Sequence, residues 1–107
     1  AIEGFCITGG LELAPTCDLQ VGAESSSYAI TSSRIGTVAG AGSTQRLLRI
    51  VGTAQALDML FAVDPVDSAQ AYRIGLINRL KPKDGALDGA KAMISVYAQR
   101  PPSALRW

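Results

Sequence analysis

The run Cys6-Ile7-Thr8-Gly9-Gly10-Leu11-Glu12-Leu13-Ala14 sets two glycines and one carboxylate into an otherwise apolar stretch, directly behind the strand-like Ala1-Ile2-Glu3-Gly4-Phe5. A strand that meets a glycine pair and then an apolar run predicts a tight strand-to-helix turn. Glycines let backbone N–H groups approach a ligand closely, and a helix beginning after them offers partial positive charge to a developing oxyanion. Glu12 falls about half a turn inside that helix. With Leu11 and Leu13 on either side it is expected to be poorly solvated, which suits a carboxylate to proton transfer near neutral pH. Taken alone, a glycine pair followed by an acidic first-turn residue reads more readily as an ordinary structural turn than as a site.

The pattern along the rest of the chain is mixed. Alternation and β-branching predict strands at about residues 1–7 and 18–23, a shorter extended piece at Tyr28-Ala29-Ile30 and another over Leu76–Leu80. Helices are expected after Gly10, over Ser43–Val51 closed by Gly52, and over Ala54–Ala62 with Thr53 as cap and Leu57, Leu60 and Phe61 on one face. Another starts at Asp67 or Ser68 and ends at Gly75; the last full helix is capped by Asp84, carries Leu87, Ala90, Ile94 and Tyr97 at helical spacing, and stops at Pro101. Ser43 and Thr44 read as capping residues behind a Gly/Ser/Thr-rich loop over 36–44. Strand, helix, strand and then a string of helices is an α/β pattern with the helices segregated late. No internal repeat or low-complexity tract is visible.

Composition narrows the chemistry. The chain has 107 residues, 48% hydrophobic and 18% charged, and a formal net charge of +1, which is globular composition without the basic field of a nucleic-acid binder. Arg46 and Arg49, three apart on one predicted helix, fit a solvated face better than a phosphate clamp. No apolar stretch approaches the roughly 20 residues needed to cross a bilayer, so no membrane partner is expected. The absence of histidine removes Ser-His-Asp and Cys-His catalysis and the usual histidine-containing zinc sites. Two cysteines at 6 and 17 form no C-x-x-C pair, and buried thiols are the default expectation. No metal site is expected. Gly40-Ala41-Gly42-Ser43-Thr44-Gln45 lacks the third glycine of a dinucleotide loop, and Ser43 has no histidine to activate it.

Beyond the first run, the chain continues with Cys17-Asp18-Leu19-Gln20-Val21-Gly22-Ala23-Glu24 and then Arg34-Ile35-Gly36-Thr37-Val38-Ala39-Gly40-Ala41-Gly42-Ser43-Thr44-Gln45-Arg46-Leu47. After these come Ile50-Val51-Gly52, Val66-Asp67-Ser68-Ala69-Gln70-Ala71 and Gly75-Leu76-Ile77-Asn78. In this order the segments resemble the crotonase, or enoyl-CoA hydratase/isomerase, superfamily from Ala1 to roughly Ala104. The resemblance implies a spiral of ββα units followed by helices that make trimer contacts. Residues 1–107 would then be a partial domain, with the spiral and its following helices over about 1–80 and the C-terminal helical region starting over 84–107. Members are more than roughly twice this long, so the chain is expected to be a middle-to-late portion. Its strand at 1–7 would be an exposed apolar edge, and the piece alone aggregated or molten.

The resemblance also assigns roles. Gly9 matches the position whose N–H is one of two donors to the acyl-CoA thioester oxygen, with Gly10 in the substrate-binding turn and the second donor in a segment not present here. Loss of one such donor costs about 3 kcal/mol of transition-state stabilisation. Glu12 matches the first of two catalytic glutamates that hold a water between them. Alignment through Gly36 puts Ser32, preceded by Thr31, where the second glutamate follows a proline, and Ala39 where a proline precedes Gly40. A hydroxyl positions water but does not replace a carboxylate as general base. Three readings follow: an acyl-CoA enzyme working through Glu12 with an enolate held in the oxyanion hole, a non-catalytic acyl-thioester binder, and a partial chain that does not fold independently. The resemblance further implies coenzyme A as part of the substrate and no separate cofactor, a homotrimer or dimer of trimers in a full-length parent, no nucleic-acid partner, and a soluble intracellular location in cytoplasm, mitochondrial matrix or peroxisome.

Overall fold

The computed structural model describes residues 1–106, so Trp107, the last residue of the expected 84–107 segment, lies outside the described residues. The chain runs β1 (Phe5–Ile7), α1 (Gly9–Leu13), a 3-10 turn (Ala14–Thr16), β2 (Val21–Ala23), β3 (Ser27–Ala29) and a second 3-10 turn (Ser32–Ile35). It continues through α2 (Ser43–Val51), α3 (Thr53–Ala62), β4 (Val66–Asp67), α4 (Ser68–Arg73), β5 (Arg79–Lys81), α5 (Ala86–Tyr97) and α6 (Pro102–Leu105).

The strands form two sheets. β1 pairs in parallel with β3 (Cys6 opposite Tyr28), and β3 pairs antiparallel with β4. β2 pairs in parallel with β5 (Gly22 opposite Leu80), and Ile2 bridges onto Gly22. The chain therefore crosses from one sheet to the other between β1 and β2, β2 and β3, and β4 and β5, while β3 and β4 stay in one sheet. β1 lies at the edge of its sheet, and Phe5 is 90% exposed.

One core lies between the sheets and α1–α4. Leu11, Tyr28, Ile30, Leu47, Leu76 and Ile77 are fully buried there. Gly22 makes room for the Tyr28 phenol, which lies 2.8 Å from Ser26 Oγ, while Ser26 Oγ donates to the Ala23 carbonyl at 2.6 Å. Because the single Ser26 proton is committed to Ala23, the phenol is the donor to Ser26. A smaller cluster of Val21, Ala23 and Ala86 seats α5.

Several expectations are corrected. The strands are shorter than their sequence patterns, and Leu76 and Ile77 are core residues ahead of β5 rather than members of it. β4 escapes the pattern because two residues cannot show a period. Gly52, not Thr53, is the residue preceding α3, and Gly42 precedes α2, so Ser43 and Thr44 lie inside that helix. Asp84 does not cap α5. Its φ is 64°, and the N–H groups of Asp84 and Ala86 donate instead to the Glu3 carboxylate at 2.9 and 2.7 Å. Asp67 does cap α4, accepting from Gln70 N–H at 2.7 Å. On α3 the buried residues are Ala56 and Met59, while Leu57 and Phe61 are exposed. On α5 Leu87 and Ile94 are likewise exposed. Cys6 is buried but Cys17 is exposed, so only one thiol follows the default.

Candidate active site

The turn between β1 and α1 is set by its ends. Thr8 N–H donates to the Ala29 carbonyl at 2.8 Å, extending the β1–β3 pairing, and Glu12 N–H donates to the Thr8 carbonyl at 2.7 Å, closing the first turn of α1. Leu11 and Ala14, three apart and so on one face, pack into the core. That face fixes the rotation of the helix and turns Glu12 away from the core, where it is half-buried. Leu13 is 68% exposed, so Glu12 does not have the apolar cover on both sides that the sequence leads one to expect.

Gly9 and Gly10 open α1, where N–H groups have no partner inside the helix. Both are exposed, and a methyl group added at Gly9 would meet nothing within 4 Å. Their backbone is open to an incoming group. Gly10 also borders a recess of about 390 Å³ lined in part by Ile2, Phe5, Cys6, Leu13 and Leu19.

Glu12 receives a partner from 28 residues downstream: Gly40 N–H donates to its Oε1 at 2.7 Å. The loop bearing Gly40 runs from Gly36 (φ 74°) to Gly42 (φ 72°), with Ala41 also at positive φ, and Ala39 anchors it in the core. Arg46 Nη1 donates to the Ala41 carbonyl and holds the far side. A charge-assisted bond from a backbone donor fixes one carboxylate oxygen and its orientation. Sequence pattern alone pointed to neither this bond nor Gly40 as part of the site, because an amide donor leaves no side-chain signature.

Ser32 is buried at the start of the second 3-10 turn. Its carbonyl accepts from Thr37 N–H at 3.0 Å and from the Thr37 hydroxyl at 3.1 Å. The segment carrying it is tied to the Gly9 turn through Thr31, whose N–H donates to Thr8 Oγ1 at 3.1 Å and whose Oγ1 lies 2.6 Å from Thr8 Oγ1. Thus Gly9, Gly10 and Glu12 share one turn, and Ser32 is joined to it by one pair of threonines. Ser43 is fully buried, and its Oγ has no hydrogen-bond partner among the described residues. Burial pushes the Cys6 thiol above its ordinary range. Among the described residues no group of three His, Cys, Asp or Glu side chains is placed to hold a metal, and no helix is long and apolar enough to cross a membrane.

Comparison with known proteins places this geometry. The family model described as enoyl-CoA hydratase/isomerase matches residues 1–107. A Bacillus subtilis protein named "Probable enoyl-CoA hydratase" is 36% identical over 107 residues, covering 98% of this chain and 41% of that protein. The 2,3-dehydroadipyl-CoA hydratase of Escherichia coli is 34% identical over 106 residues, 99% of this chain and 42% of that protein. The crystal structure of an enoyl-CoA hydratase from Mycobacterium avium superposes with a TM-score of 0.88 at 34% identity, over 94% of this chain and 45% of that one. The chain thus spans about two-fifths of the length of the curated relatives it matches. The strand-swapping spiral is part of the crotonase fold, and the chain belongs to the enoyl-CoA hydratase/isomerase family.

Proposed function

We propose that this chain supplies the acid/base side of a site that hydrates an α,β-unsaturated acyl-CoA thioester. Gly9 N–H is one donor to the thioester oxygen, where negative charge develops as water adds across the double bond. Glu12 takes the proton from the attacking water or manages the proton at the α-carbon. Gly10 lines the substrate turn, and the Ser32 hydroxyl positions water. No cofactor is required beyond the coenzyme A carried by the substrate, and the second oxyanion donor comes from the part of the fold that this chain does not span. Assembly as a trimer belongs to the same reading.

The observation that carries the proposal is the Glu12–Gly40 bond at 2.7 Å. It holds Oε1 while Oε2 has no protein hydrogen bond among the described residues, the arrangement a proton-transferring carboxylate needs. The exposed Gly9 backbone one turn earlier and the hydratase names of the relatives support the same reading. Ser32 favours a second one. A hydroxyl ionises far above neutral pH, so a site with one carboxylate also suits a thioester binder without turnover.

The test is hydration of crotonyl-CoA, followed by loss of the conjugated thioester absorbance. It uses the chain itself and a graft in which the chain replaces the matching segment of the Bacillus subtilis relative. Turnover by the unmodified graft supports the hydratase reading. Turnover only after Ser32→Glu, with the thioester bound in both forms, supports the binder.

A further inference from the structure

The strand-to-helix turn holds a backbone outlier. Thr8 has φ 45° and ψ −101°, a conformation that glycine adopts without steric penalty and a β-branched residue does not. It is nevertheless held from three directions. Its N–H is bonded to Ala29, its carbonyl to Glu12, and its hydroxyl to both the N–H and the hydroxyl of Thr31. Thr31 also forgoes a local preference. It precedes the 3-10 turn at Ser32–Ile35, where a threonine hydroxyl ordinarily caps the turn's free N–H groups, yet it makes no cap bond and faces Thr8. Two residues thus depart from their local optima for one contact. That contact joins the segment bearing Gly9 and Glu12 to the segment bearing Ser32. Outliers of this kind persist where the surroundings over-determine them, and they cluster at functional sites.

The chemistry of the peptide unit gives the outlier a role. The Gly9 N–H belongs to the planar peptide between Thr8 and Gly9, so its direction is set by ψ of Thr8. Any relaxation of Thr8 toward an ordinary threonine conformation rotates that N–H.

We propose that the Thr8–Thr31 hydroxyl pair is a clamp that holds Thr8 in its glycine-like conformation, aims the Gly9 N–H and fixes Ser32 beside the turn. Thr8 is then a positioning residue for the thioester reaction. The proposal rests on the reading of Gly9 and Glu12 given above. The clamp touches no substrate and acts through Gly9.

Thr8→Val keeps the shape and removes the hydroxyl, Thr8→Ser keeps the hydroxyl, and Thr31→Val removes the partner while leaving Thr8 in place. Each variant and the Thr8→Val/Thr31→Val double is assayed with crotonyl-CoA, in the chain and in the graft. Amide shifts of Gly9 and Ser32 are recorded without ligand. Misaiming an oxyanion donor affects the transition state more than the ground state, so Thr8→Val is expected to lower kcat about 100-fold with KM changed less than about twofold. Thr8→Ser restores kcat, Thr31→Val, which leaves the Thr31 N–H bond to Thr8 Oγ1 in place, lowers kcat in the same direction by less, and the double variant is no worse than Thr8→Val alone, since the bonds lost in Thr31→Val are already lost there. Where Thr8→Val fails to fold, Thr31→Val and Thr8→Ser carry the comparison. A folded Thr8→Val or Thr31→Val with unchanged kcat, or multiplicative losses in the double, overturns the clamp. An unmodified protein that neither turns over nor binds the thioester overturns the reading of the site and the catalytic role of the clamp. In that case correlated Gly9 and Ser32 shifts in both single variants leave only a structural link between the two segments.

Discussion

Replacing Gly22 with alanine tests whether the spiral is built around the Tyr28 phenol. Gly22 sits in the middle of β2, opposite Leu80 and bridged to Ile2. A methyl group there would overlap the phenol oxygen, come within 2.8 Å of Ile77 Cδ1 and 3.2 Å of Ser26 Oγ. Tyr28 and Ile77 are fully buried, so neither can swing aside into solvent. Overpacking of this kind costs about 1–3 kcal/mol. Displacing the phenol from Ser26 leaves a buried hydroxyl unpaired, for about another 1–3 kcal/mol. The expected loss of about 2–6 kcal/mol corresponds to a fall on the order of 5–20 °C in the thermal midpoint of a domain the size of the graft. The cause is separable from a general intolerance of side chains in β2. Tyr28→Phe removes the oxygen that the methyl meets, so the Gly22→Ala/Tyr28→Phe double variant should melt above Gly22→Ala alone. Melting curves followed by circular dichroism measure both. An unchanged midpoint in Gly22→Ala, or a double variant that melts as the sum of the two single losses, would refute the packing argument.

Three further outcomes follow from the same structure. Glu3→Ala removes the acceptor for Asp84 and Ala86 N–H and should cost about 1–2 kcal/mol, as loss of a helix cap does; hydrogen exchange should quicken at those two amides while the Cys6 and Ala29 amides of the β1–β3 pair hold. Burial raises the Cys6 thiol above its ordinary 9.0, and burial raises the Tyr28 phenol above 10.0 despite its bond to Ser26. Both groups ionise first in the unfolded chain, so stability holds below pH 9.0 and falls as pH rises past it; melts at stepped pH should show the fall, and Cys6→Ala should flatten its lower part. A maleimide should label the exposed Cys17 at once and the buried Cys6 only on unfolding, and immediate labelling of both would contradict the burial.

What the sequence makes legible here is local and periodic. The Gly9-Gly10 turn, the helix over Ser43–Val51 and the Asp67 cap of α4 are encoded by neighbours, and the structure forms them where the pattern puts them. Helix caps supplied from a distance are not encoded that way. Asp84 looks like a cap because it precedes a helical pattern, but Glu3, more than eighty positions earlier, takes that role. Faces are misread for a related reason. Leu57 and Phe61 share a helical face, yet the face packed into the core is the one carrying Ala56 and Met59. At the site, the resemblance of ordered motifs drew attention to Gly9, Glu12 and Ser32, whereas the Gly40 donor and the Thr8–Thr31 pair needed three-dimensional proximity. A threonine in a glycine-like conformation carries no sequence mark at all, since Thr8 reads simply as the residue between the strand at 1–7 and the glycine pair.

Glu12→Gln is the most direct test of the role given to the carboxylate. Glutamine keeps an acceptor for Gly40 N–H and nearly the same volume but neither carries negative charge nor takes up a proton in the working pH range. Hydration of crotonyl-CoA and binding of a saturated acyl-CoA are measured side by side on the graft and its Glu12→Gln variant. The account predicts turnover lost by about 100-fold or more, as for removal of a general acid or base, with thioester affinity within about threefold of the unmodified protein. Turnover that survives the substitution would contradict it and move the acid/base chemistry away from Glu12.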